Sequence, residues 1–78
     1  MNVQIEVPVA GGMCKLLFRP GCSTGGADTN PGVGFDYVSE VQLLANKNNF
    51  YGGMGVIGRK DAAVLRDMLN EFLRKHPV

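Results

Sequence analysis

VQIEVPVAGGMCKLLFR, residues 3–19, reads as a β-hairpin. Val3, Ile5, Val7 and Val9 alternate with Gln4, Glu6 and Pro8, and a period of two marks a strand with one face on a core and one in water. Pro8 has no N–H to give to a ladder, which places this strand at the edge of a sheet. Gly11 and Gly12 tolerate the positive φ of a tight hairpin turn. Met13–Arg19 then returns, with Cys14, Leu16 and Phe18 on one face and Lys15, Leu17 and Arg19 on the other.

Beyond the hairpin, residues 20–34 read PGCSTGGADTNPGVG and carry no apolar period, so they are expected to form a long Gly-rich loop. Residues 35–46 admit two readings. As a strand, Phe35, Tyr37, Val41, Leu43 and Ala45 share a face interrupted by Ser39; as a helix, Tyr37, Val38, Val41, Leu44 and Ala45 form a stripe behind Asp36 as N-cap. Aromatic and β-branched residues at its start, and the turn-like Asn46-Lys47-Asn48-Asn49, favour the strand. FYGGMGVI, residues 50–57, is a strand weakened by Gly52, Gly53 and Gly55, which invite close packing by the C-terminal helix or by another backbone.

The run RKDAAVLRDMLNEFLRKH after Gly58 is a helix. Ala62, Leu65, Met68, Leu69, Phe72 and Leu73 share one face, opposite Arg66, Asp67, Asn70, Glu71 and Arg74. Gly58 serves as N-cap, Asp61 suits the positive end of the dipole, and Arg74, Lys75 and His76 suit the other. Pro77 ends the helix. The fold class is therefore α+β: a four-stranded, mostly antiparallel sheet of two hairpins with one C-terminal amphipathic helix on one face. The single domain divides into a hairpin (1–19), the Gly-rich loop (20–34), a second hairpin (35–57) and the helix (59–76).

A chain of 78 residues buries only about 60–65% of the surface it exposes when unfolded. Folds this small usually add a disulfide, a metal, a ligand or a second copy, so a homodimer is expected. Eight basic side chains against 7 acidic ones leave a net charge of +1, too little for a broad field that draws in phosphate backbones. No apolar run approaches the ~18 residues of a membrane span, and no basic-apolar leader opens the chain. A cytoplasmic protein with no membrane contact is the expectation, with Cys14 and Cys22 as reduced thiols.

Catalysis is not expected. The one histidine, His76, stands at the end of the helix, where it serves as a capping cation. Cys22 has only Arg19 nearby to lower its pKa, and the carboxylates are scattered without a general acid-base pair. Two cysteines and one distant histidine match no zinc pattern, so neither metal nor cofactor is expected.

Three functional readings remain. The first is a small non-enzymatic regulator or inhibitor that docks on a macromolecular partner, in the manner of small phage and mobile-element proteins. In the second, Arg19, Cys22, Ser23, Thr24, Gly25, Gly26, Asp28, Thr29 and Asn30 form a ligand or partner loop, whose amides and hydroxyls would cradle a small anionic, nucleotide-like ligand. It lacks the phosphate-loop spacing and its lysine. The third is single-stranded nucleic acid on the outer sheet face, through Lys15, Arg19, Tyr51, Arg59 and Lys60. In the order of its elements, four strands then a helix, the chain resembles the whirly-type single-strand-binding proteins. That resemblance implies dimerisation and single-strand binding.

Overall fold

A computed structural model describes residues 1–23, 30–43 and 46–78, and the side chains of 40–51 fall outside that description. Four strands, β1 (Val3–Val9), β2 (Gly12–Cys22), β3 (Gly32–Leu43) and β4 (Asn46–Ile57), precede one helix, α1 (Arg59–Lys75). They form one antiparallel sheet in the order β1-β2-β3-β4. The α+β class holds, and the two hairpins merge into one meander because β2 also pairs with β3 along its length.

Alternation in the sequence becomes two chemically distinct faces. Val3 pairs with Phe18, Ile5 with Leu16 and Val7 with Cys14. Phe18, Leu16 and Cys14 continue to Phe35, Tyr37 and Ser39, so these positions share the apolar face. The outward face carries Glu6 opposite Lys15, Leu17 opposite Asp36 and Asp36 opposite Met54. Pro8 stands on the edge strand β1, where the lost donor is tolerated.

Several boundaries differ from the sequence reading. Val9 pairs with Gly12, so the first turn is Ala10–Gly11, with Gly11 at φ 83°, rather than Gly11–Gly12. Residues 35–43 are strand, as preferred, and the pairing runs past both ends of the expected loop: Pro20 opposes Val33 and Cys22 opposes Gly32, with a register shift between Pro20 and Cys22. Pro20–Cys22 and Gly32–Gly34 therefore belong to strands. The chain re-enters β3 through a cis Asn30–Pro31 bond.

Gly52 admits another backbone as expected, since a Cβ there would stand 3.2 Å from the carbonyl oxygen of Tyr37, whereas Gly53 and Gly55 have a different use. A Cβ on Gly53 would stand 2.6 Å from Cε1 of Tyr37, and one on Gly55 would stand 2.8 Å from Cε1 of Phe35. Rings from the adjacent strand lie over the glycines. The helix makes its principal approach to β3 instead.

Gly58 is the N-cap of α1, and the backbone N–H of His76 closes the other end by donating to the carbonyl of Phe72. Within the chain this helix is barely covered. Ala62 and Ala63 are half-buried, and every residue from Val64 onward is exposed. Leu65 keeps 38% of its surface, Met68 54% and Phe72 54%. Cys14 is the one buried apolar side chain among the described residues. The helix is not laid along one face of the sheet as expected: it approaches mainly β3, and most of the apolar sheet face stays open as well. At ~3.3 Å per residue, strands of 11 and 12 residues reach about 36–40 Å, whereas a 17-residue helix spans about 25 Å. One helix about 10 Å wide cannot roof a four-stranded face of that length.

Candidate functional site

Two surfaces stand out, one on each side of the sheet. On the apolar side, Val3, Ile5, Phe18, Val33 and Ile57 form the floor of an open groove of about 500 Å³, and Ala62, Leu65, Arg66 and Leu69 of α1 form its wall. The floor comes from both edges of the sheet and from both central strands. The strict alternation of β1 supplies one side and the end of β4 the other. The groove is almost wholly apolar.

On the outward side, Arg19 and Asp36 form a two-pronged ion pair. One guanidinium nitrogen, Nη1, donates to Oδ2 at 2.6 Å, and Nη2 donates to Oδ1 at 3.1 Å. The hydrogen bonds from Arg19 hold the Asp36 carboxyl below its ordinary range, and the same contact raises the guanidinium. Beside the pair stand Val38, 43% exposed, and Met54, 81% exposed, and Met13, also 43% exposed, lies further along the same face of β2. Asp36, Tyr37, Val38, Gly52, Gly53 and Met54 line a shallow hollow of about 360 Å³ there. Sequence reasoning used Arg19 but missed Asp36, whose partner comes from β2. The signal lay in the register, since Leu17 opposes Asp36 and brings Arg19 diagonally beside it.

The expected loop site is only partly described. Arg19 is turned to Asp36, and Cys22 lies against Gly34, whose added Cβ would stand 3.2 Å from the Cys22 Cβ. Ser23 and Asn30 are exposed at the two ends of the loop, whereas Thr24, Gly25, Gly26, Asp28 and Thr29 lie outside the described residues. Cys14 and Cys22 are not joined in a disulfide.

The residues expected to bind nucleic acid come from three elements, β2, β4 and α1. Lys15 and Arg19 share the outward face of β2, and Arg59 and Lys60 begin α1. Tyr51 pairs with Ser39, on the opposite parity from Lys15, and its side chain is outside the description. Much of the remaining positive charge is locally paired: Arg66 with Asp67, and Arg74 and Lys75 with Glu71. These pairs are exposed and add little stability, but they quench the local field.

Compared with known proteins, the chain matches no family model, no curated protein and no solved structure. No helix among the described residues is long and apolar enough to cross a membrane.

Proposed function

We propose that the chain is a small non-enzymatic binding protein, of the regulator or inhibitor kind, that docks its outward sheet face on a protein partner. The observation that carries this reading is the makeup of that face. Val38 and Met54 are exposed beside an arginine and an aspartate that already satisfy one another. Protein interfaces are rich in methionine and arginine and poor in lone charges at their centre. Unbranched methionine also adapts its shape to whatever it meets.

Single-stranded nucleic acid is less well supported, because Arg19 is held by Asp36 and the other basic residues are dispersed. A direct test retains partners from the native host on the immobilised protein. Met54→Gln with Val38→Thr should lower retention of a protein partner about tenfold or more, while the wild-type complex survives high salt. Bound material that leaves at moderate salt, and leaves on nuclease treatment, refutes the protein reading in favour of nucleic acid.

A further inference from the structure

The apolar side of the molecule is unfinished, and its size says how much is missing. A folded monomer of 8.4 kDa is expected to expose about 4,600 Å², whereas this chain exposes 6128 Å². The excess is about 1,500 Å² per chain. Its radius of gyration is 15.2 Å, against about 11–12 Å for a compact chain of the same length. Hiding the excess on two chains removes about 3,000 Å², within the range of obligate homodimers.

We infer that a second copy of this chain completes the fold. The two copies meet through α1 and the groove beside it, about a two-fold axis. Each chain carries both halves of a self-complementary interface, as a two-fold contact requires. Met68 and Phe72 form a ridge on the unroofed sector of the helix, and Val3, Ile5, Phe18 and Leu69 line a slot of about 500 Å³. The ridge of one copy seats in the slot of the other. Charge does not oppose the pairing, because Glu71 is already bonded to Arg74 and Lys75 at the rim of the helix. Every molecule needs this cover in order to fold, and the one species always present in equal amount is the chain itself. The outward face with Arg19 and Asp36 stays open in the dimer, so this inference stands apart from the docking reading and fails separately from it.

Sedimentation equilibrium and thermal unfolding of the full chain test the inference. The wild type should sediment at twice the 8.4 kDa chain mass. Its unfolding midpoint should rise by about 5 °C for each tenfold increase in protein concentration. Phe72→Glu alters a side chain that is 54% exposed within its own chain, so a monomer would tolerate it. In the dimer it should reduce self-association at least a hundredfold. Should that variant not fold, isotope-filtered NOEs between labelled and unlabelled wild-type chains are expected to join the Phe72 ring to the Val3 and Ile5 methyls. A folded wild-type monomer with a concentration-independent midpoint overturns the inference. So does a dimer that keeps its mass in Phe72→Glu and shows contacts only along β4, which is pairing through a sheet edge.

Discussion

Gly55→Ala tests whether the glycines of β4 are there to admit the rings of β3. The new Cβ would stand 2.8 Å from Cε1 and 2.9 Å from Cζ of Phe35. Ordinary contact begins near 3.4 Å, so the ring must retreat by about 0.6 Å. Phe35 is half-buried between Phe18 and Gly55 in the register of the sheet, so the retreat disturbs its packing. Overpacking of this kind costs about 1–3 kcal/mol. Against it, removing a glycine restricts the unfolded chain and returns about 0.4–1 kcal/mol. The expected net loss is about 1 kcal/mol, a fall in midpoint of about 4–8 °C at fixed protein concentration. A double-mutant cycle with Phe35→Ala isolates the contact by urea unfolding. With the ring gone, Gly55→Ala should become neutral or stabilising, a coupling of about 1–2 kcal/mol. Equal effects of Gly55→Ala in the two backgrounds would refute the ring-over-glycine account.

Acid should weaken the outward face in a defined direction. The folded Asp36 carboxyl lies below its unfolded value because Arg19 bonds to it. Its contribution is therefore complete above pH of about 4 and is lost as pH falls through the lowered folded value. Asp36→Asn should flatten that limb of a stability-versus-pH profile, and an unchanged limb would contradict the pairing. The two thiols should separate kinetically: Cys22, half-buried, reacts with an aromatic disulfide reagent well before Cys14, which is 7% exposed. Equal rates in the native protein, followed by assigning the labelled cysteine, would contradict that ordering. Glu71→Gln removes the negative charge shared by Arg74 and Lys75 on an exposed surface and should leave the thermal unfolding midpoint nearly unchanged.

How far the sequence discloses this molecule depends on whether each signal is local. The alternation VQIEVPV and the split of Cys14, Leu16 and Phe18 from Lys15, Leu17 and Arg19 appear in the sheet as read, because side-chain parity is a property of one strand. The ends of α1 were legible for the same reason: Gly58 starts it and the chain leaves it at His76 before Pro77. The strand ends near 20–22 and 32–34 were not, since Pro20, Gly21 and Gly32 look like loop until register carries the pairing outward to them. Likewise the partner of Asp36 and the rings above Gly53 and Gly55 come from neighbouring strands, and no local window contains them. The apolar arc of α1 announced that the helix is covered. It could not say that the chain's own sheet leaves that arc exposed from Val64 onward.

Photo-crosslinking from two positions tests the two-sided account most directly. A benzophenone side chain placed at Met54 or at Met68, in the protein expressed in its native cells, reports what lies against each face. The account predicts an adduct of twice the 8.4 kDa chain mass from Met68, and from Met54 an adduct with a different protein. Self-adducts from Met54, with none from Met68, would contradict it.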